Sequence, residues 1–486
     1  MSYLYLLKLA SPEAIVTVTA LVVLAIGLAS ERARALCPFV SALGLALAGV
    51  AILYLPPQAT LFDGMLVITP LTSLFKIICL TLAFFTVILA RSAGHVRFFN
   101  PGEYLAMILL ATIGLMLLVG SEELLMIFIG LELTGLSLYV LTAFDKTDLR
   151  SAEAGLKYFL FGSTASAFTL FGLSFIYGMA GTTGLVAIAQ KLSVQPISPL
   201  LFAGIVMTLI GFAFKVAAAP FHLWAPDAYE GAPVPSAAFI ASGSKVASFV
   251  VLGKIVLTGF GPLQGSAAWH AMSAGWSPLL AVLAALSIVV GNLVALAQKN
   301  VRRLLAYSAV AHAGYTLLGL IAGGRDGFSA TLFYTTVYAF TLVGAFGVVA
   351  FVRRETGGDD LQNFAGLRAR SPLLAGCMAI FMLSLAGLPP LAGFFGKFYL
   401  FSAALRAGPN QGLLWLVALA LFGSLISLYY YLIVLKVIFV EEPLRDTPAV
   451  PLDFLQRFSL TVLAVVVLFL GLAPQLLATR IIASLR

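Results

Sequence analysis

The sequence predicts an all-α, polytopic membrane protein of about fourteen transmembrane helices, and three observations predict it. Of its 486 residues, 61% are hydrophobic and only 10% charged, against roughly 25% charged in a soluble domain. Apolar runs of about 20 residues, the length a hydrocarbon core requires at 1.5 Å per residue, recur along the whole chain. The longest polar stretches, 353–370 and 441–457, leave no soluble domain of useful size.

Windows of about 19 residues place the spans near 13–30, 36–55, 70–90, 104–120, 124–142, 153–179, 200–220, 235–258, 278–298, 303–322, 328–352, 373–400, 412–438 and 458–477. The first of them lacks a basic leader and a small-residue cleavage site, so it is expected to remain as a helix rather than a signal peptide. Cys37, Cys79 and Cys377 lie far apart, which leaves no CxxC pair, iron–sulfur set or disulfide framework. No glycine-rich strand-to-helix loop marks a nucleotide site.

The net charge of +8 is not gathered into a patch of the kind nucleic acid needs. Loops after odd-numbered spans carry Arg32, Arg34, Arg91, Arg97, Lys146, Arg150, Lys299, Arg302, Arg303, Arg353, Arg354, Arg368, Arg370, Arg445 and Arg457. Loops after even-numbered spans carry Lys191, Lys254, Arg325 and Arg406. Basic residues stay cytoplasmic, so both termini are expected outside.

Two spans are interrupted by proline, the seventh at Ala219-Pro220 and the twelfth at GLPP, 387–390. Each break frees carbonyls that must face protein or water rather than lipid. The breaks lie 169 residues apart, and the fourth and ninth spans start 174 apart. Spans 4–8 and 9–13 are therefore read as two repeats of five helices, inverted because five is odd, with the ion path near the midplane at the broken helices. A plain proline kink in each is the simpler alternative. The resulting division is an N-terminal three-helix segment (1–103), a first repeat (104–260), a second repeat (275–440) and a C-terminal helix (441–486).

Ionisable residues deep in these spans are few: Glu132 in GLELTGLSLY, Lys215 five residues before the first break, Lys245 in ASGSKVASF, Lys397 after the second break, and His312 in AYSAVAHAGY. Each central Lys or Glu costs roughly 2.5–3.5 kcal/mol on insertion scales, and four cost on the order of 10. Packing alone does not need that cost. A Glu132–Lys215 pair holding helices together is the structural alternative, but one central acid cannot neutralise three lysines. Buried amines move toward neutrality, where they load and release protons. The residues are therefore read as a proton relay: Glu132 and Lys215 at the input, Lys245 as central carrier, Lys397 as exit. His222, beside the break, and His312 are accessory candidates. Lys76, Lys254 and Lys436 lie near predicted helix ends and are expected to snorkel. Lys157 does so too, close to Glu153, with an entrance role as the alternative. Trp224, Asp227 and Tyr229 are expected in a polar connection with ordinary aromatic anchoring.

PFHLWAPDAYEGAPVP (220–235), QKNVRRLLAYSAVAHAGY (298–315) and GLPPLAGFFGKFYLF (387–401) resemble the antiporter-like membrane subunits of complex I, the NADH:quinone oxidoreductase, over nearly the whole chain. DAYEGAP after PFHLW is similar to the subunit N branch, and Lys397 stands where the M branch carries glutamate. By that resemblance Glu132, Lys215, Lys245 and Lys397 are proton-path residues, with His222, His312 and Lys157 as accessories. The implied activity is proton translocation driven by electron transfer in other subunits, which would hold NADH, flavin (FMN), iron–sulfur clusters and quinone. The implied partners are neighbouring antiporter-like and small membrane subunits, and the implied place is the bacterial inner membrane. Competing readings are a subunit of a cation/proton antiporter or membrane-bound hydrogenase, a stand-alone transporter, and a structural membrane subunit. The Ala, Gly and Phe around the breaks are too apolar for most solutes.

Overall fold

The computed structural model describes residues 3–92, 100–194, 196–407, 412–442 and 452–485. Arg97 and Arg445 of the loop tally lie outside them. A helix or helix pair forms at each of the fourteen expected spans, and among the described residues twelve of these helices are long and apolar enough to cross a membrane. They are preceded by a short helix, α1 (Tyr3–Leu9).

The first three spans are α2 (Ser11–Ala29), α3 (Cys37–Leu53) and α4 (Pro70–Ser92), with a small hairpin of β1 (Ala59–Leu61) and β2 (Leu66–Ile68) between the last two. Next come α5 (Pro101–Gly120), α6 (Leu124–Thr142) and α7 (Leu149–Ala180). Proline opens α3, α4 and α5 at the first turn, where its missing N–H costs nothing. Glu123 and Asp148 cap α6 and α7 through their carboxylates. After a surface helix, α8 (Leu185–Leu192), the seventh span is α9 (Pro199–Val216), and the connection that follows it holds the short α10 (Trp224–Gly231). The eighth, α11 (Val234–Gly259), contains π-helical turns at Ile240–Ser244 and Ile255–Gly259.

The remaining spans are α12 (Trp276–Leu296), α13 (Val301–Ala322), α14 (Gly324–Thr356), the pair α15 (Pro372–Ala386) and α16 (Ala392–Arg406), α17 (Leu414–Phe439) and α18 (Phe454–Leu472). A terminal helix, α19 (Gln475–Ser484), follows. Helices α11, α13 and α14 are almost wholly buried and form the centre; α2, α7, α17 and α18 turn apolar faces outward, as a bilayer requires.

Both breaks fall where proline predicts them. α9 stops at Val216, and Ala217 caps it at φ 58°, donating to Ala213 and Phe214. α15 stops at Ala386, and Gly387 does the same at φ 84° to Leu383 and Ser384. The Ala219–Pro220 and Pro389–Pro390 bonds are both cis.

Candidate functional site

Each break presents a lysine to carbonyl oxygens inside the protein. In the first, Lys215 donates to the Leu131 carbonyl on α6 at 3.3 Å and stands 5.8 Å from the Tyr139 ring. The Glu132 carboxylate accepts from Ser166 on α7 at 2.5 Å. Both line one small cavity with Phe128, Ala165, Thr169 and Phe214, with room for about a single water. Glu132 and Lys215 thus share a chamber, yet among the described residues neither forms an ion pair: the carboxylate is held by a hydroxyl and the ammonium by a backbone carbonyl. The two halves of this chamber come from α6 and α9, which α7 packs together.

At the second break Lys397 donates to the Ala386 carbonyl at 2.9 Å and to Ser424 Oγ on α17 at 2.8 Å. Its ammonium is 5.3 Å from the Tyr315 ring. Ala386 is the last residue of α15, so the break supplies the carbonyl that an unbroken helix would have kept.

Between the breaks runs a line of buried polar groups. Lys245 donates to the Ala309 carbonyl of α13 at 2.5 Å and lies 5.4 Å from the Tyr338 ring. The Tyr338 ring in turn lies 5.0 Å from the His312 imidazole, tilted 36° to it. Both imidazole nitrogens meet hydroxyls, Nδ1 that of Tyr334 at 2.5 Å and Nε2 that of Tyr431 at 3.0 Å. A neutral imidazole donates at one nitrogen and accepts at the other, and a hydroxyl does either, so His312 can pass a proton from one side to the other by exchanging tautomers. Tyr431 also meets Ser308. Sequence reasoning named Lys245, His312 and Lys397 but missed Tyr334, Tyr338, Tyr431 and Ser424. The signal available was hydroxyl residues in mid-span, Tyr334 and Tyr338 at i,i+4 on one face of α14.

His222 follows the first break, is buried, and leaves Nδ1 with no hydrogen-bond partner among the described residues. Its ring stands 6.2 Å from Tyr307. Lys157 lies apart from this line, 41% exposed at its side chain, bonded to Glu153 at 2.6 Å and to Asp227 at 2.8 Å. Among the described residues no three His, Cys, Asp or Glu side chains stand close enough to hold a metal.

Residues 121–427 match the transmembrane family described as NADH:quinone oxidoreductase/Mrp antiporter. The chain is 48% identical to NADH-quinone oxidoreductase subunit N 2 of Acidobacterium capsulatum, with 98% of each chain covered. It belongs to the NADH:quinone oxidoreductase/Mrp antiporter family. A chain of respiratory complex I from Thermus thermophilus, 34% identical, superposes with a TM-score of 0.80 over 96% of this chain and 98% of that one. A chain of the Mrp complex from Dietzia superposes at 0.85 over 98% and 97%, but at 21% identity, a likeness of fold alone.

In this family member the polar connection after the first break is more than a solvated loop. Trp224 is buried, donates to the Phe214 carbonyl at 3.0 Å and stacks on Tyr158 at 4.2 Å; Tyr229 is buried too. Both were expected to anchor at the membrane surface, and instead they fill the space that the broken helix opens. Asp227 accepts from Lys157 and from Arg303, each at 2.8 Å, and Arg303 also reaches Glu230 at 2.8 Å. Burial pushes the Asp227 carboxyl up, but the bonds and charges of Lys157 and Arg303 outweigh it and hold the group below its usual value. Buried Arg302 pairs with Asp359 and donates to the carbonyls of Ala232 at 2.8 Å and Tyr229 at 3.3 Å. Asp359 also takes Arg353 at 2.9 Å and Asn300 at 2.8 Å. The carboxyl is held low there as well: burial opposes, and the Arg302 and Arg353 charges prevail.

Two lysines expected to snorkel do not. Lys76 is 1% exposed and pairs with Glu13 of α2 at 2.6 Å. Lys254, counted above with the even-side loops, is 4% exposed. It donates to the carbonyls of Val119 at 2.9 Å and Ser121 at 3.4 Å, with Glu122 at 3.5 Å. The C-terminal carbonyls of α5 draw a cation inward. Lys436, exposed and 3.4 Å from Glu441, does reach outward.

Proposed function

We propose that this chain is the proton-translocating membrane subunit, of the subunit N kind, of a bacterial NADH:quinone oxidoreductase. It moves protons through Glu132, Lys215, Lys245, His312 and Lys397 while electrons pass from NADH to quinone in other subunits. The observation that carries this reading is the buried line from Lys245 through Tyr338 and His312 toward the tyrosines of α17, set between two broken helices that each hold a lysine on carbonyl oxygens. A buried amine held by neutral carbonyls carries no fixed counter-ion, so its protonation can follow the occupancy of its neighbours.

In this reading Glu132 and Lys215 take up protons, Lys245 carries them to the centre and Lys397 releases them. His222 and Lys157 assist at the input side. The segment around each break belongs to one of two inverted five-helix repeats, 104–260 and 275–440, flanked by 1–103 and 441–486. The basic odd-side loops face the cytoplasm across the inner membrane and both termini face the periplasm, as the distribution of Lys and Arg supports. FMN, iron–sulfur clusters and the quinone site belong to partner subunits, and neighbouring membrane subunits cover the apolar flanks. The full-length similarity to a subunit N, at 48% identity, favours this assembly over a cation/proton antiporter.

Replacement of Lys245 by Ala in the assembled enzyme tests the reading. Proton pumping and NADH-driven turnover both fall if Lys245 carries protons; both at the wild-type level refute it.

A further inference from the structure

Asn292 is a non-titrating side chain, wholly buried on α12, at a junction of three helices. Its Nδ2 donates to the Ile288 carbonyl and to the Tyr315 hydroxyl, both at 2.8 Å. Its Oδ1 accepts from the Tyr430 hydroxyl at 3.1 Å. The Ile288 carbonyl can only accept, so it fixes which end of the amide is Nδ2. Tyr430 is thereby committed as a donor to Oδ1, and Tyr315 as an acceptor from Nδ2.

Each tyrosine so fixed stands beside a relay group. The Tyr315 ring lies 5.3 Å from Lys397 Nζ. Tyr430 lies in edge contact with Tyr431, centroids 4.6 Å apart, and Tyr431 hydrogen-bonds His312. Helix α17 is shaped to the same junction. At Gly423 a Cβ would come within 2.8 Å of Asn292 Nδ2 and 3.0 Å of the Tyr315 hydroxyl, and the next residue, Ser424, receives the Lys397 ammonium.

We propose that Asn292 is a positioning residue of the relay: its amide holds Tyr315 against Lys397 and Tyr430 against Tyr431, keeping Lys397 and His312 in register. It rests on the reading of Lys397 as a proton carrier. An amide transfers no proton at neutral pH, so Asn292 acts on the relay only through these two rings. Replacing it by leucine keeps the bulk, removes the three hydrogen bonds and frees both rings to turn.

The test is a cycle of Asn292→Leu, Lys397→Ala and the double variant in the assembled enzyme, in sealed inside-out membrane vesicles. Proton pumping, NADH-driven turnover and the pH profile of turnover are read in each. Asn292→Leu is expected to lower pumping by roughly two- to fivefold and to shift the pH profile, while adding nothing to the loss in Lys397→Ala. A purely structural loss would lower the amount of enzyme, leave the profile in place and add fully to Lys397→Ala. Wild-type pumping in Asn292→Leu, or full additivity, overturns the inference. If Asn292→Leu does not assemble, Gly423→Ala crowds the same junction without removing a polar group, and the same two outcomes decide. If Lys397→Ala itself pumps normally, the relay reading fails first, which separates that failure from this one.

Discussion

Asp227 joins two distant parts of the chain: Lys157 of α7 and Arg303 of α13 each donate to it at 2.8 Å, one to each carboxylate oxygen. The pairs are partly exposed, so each is worth roughly 0.2–1 kcal/mol. Asp227→Asn removes both ion pairs and costs about 1 kcal/mol, seen as a thermal dissociation point a few degrees lower in mild detergent. Half-molar salt screens the wild-type pairs and narrows the gap between the two proteins. A gap indifferent to salt would show that the carboxylate acts by packing.

Asp359 is a different case, because its partner Arg302 is buried as deeply as it is. Asp359→Ala leaves a buried guanidinium without its carboxylate, a loss of roughly 3–5 kcal/mol. Very little assembled complex is expected, and Asp359→Ala with Arg302→Met should recover part of it. The pH dependence follows in sign. The carboxyl is held below its unfolded value near 3.9, so its stabilisation is present above about pH 4 and is lost as pH falls below that. Dissociation temperatures measured from pH 7 down to 4 and below should fall more steeply in the wild type than in Asp359→Asn. Equal slopes would refute the assignment.

The spans and both breaks were legible because their causes are local: apolar length, and proline with its missing N–H. α8 and α19 escaped because eight and ten amphipathic residues do not fill a membrane-length window. Lys76 and Lys254 were misplaced for a non-local reason. Counted along its own helix each sits near an end, but Glu13 and the last carbonyls of α5, distant in sequence, supply partners that make burial possible. The mid-span lysines were legible because charge there is costly wherever it sits. Tyr334, Tyr431 and Asn292 were not, since a buried tyrosine or asparagine costs little once paired, and only the fold shows the pairing.

The Lys76–Glu13 pair ties the first span to the third. Lys76→Met strands a buried carboxylate, at a cost of roughly 3–5 kcal/mol, whereas Lys76→Met with Glu13→Met removes both charges together. The double variant should therefore assemble better than the single one. The amount of intact complex recovered from membranes measures it, and a double variant no better than Lys76→Met would show that the stranded Glu13 carboxylate is not what destabilises the single variant.

At the second break the backbone leaves no room for a side chain. Gly393 opens α16 against the end of α15: its N–H donates to Ser384 Oγ at 3.2 Å, and a Cβ there would collide with the Ser384 carbonyl oxygen. Overpacking a core costs typically 1–3 kcal/mol when side chains can move aside, but here the obstacle is backbone. Gly393→Ala must therefore push the first turn of α16 away from α15. Lys397 lies one turn further on and donates to Ala386 at the end of α15, so the same displacement draws the ammonium off its carbonyl. Gly376, on α15 with no neighbour within 4 Å of its would-be Cβ, is the matched control, and its alanine variant should be neutral within about 0.5 kcal/mol. Coupled turnover per assembled complex is the measurement: Gly393→Ala should lose most of it while Gly376→Ala keeps it, and equal turnover in the two would mean that the break can widen without cost to Lys397.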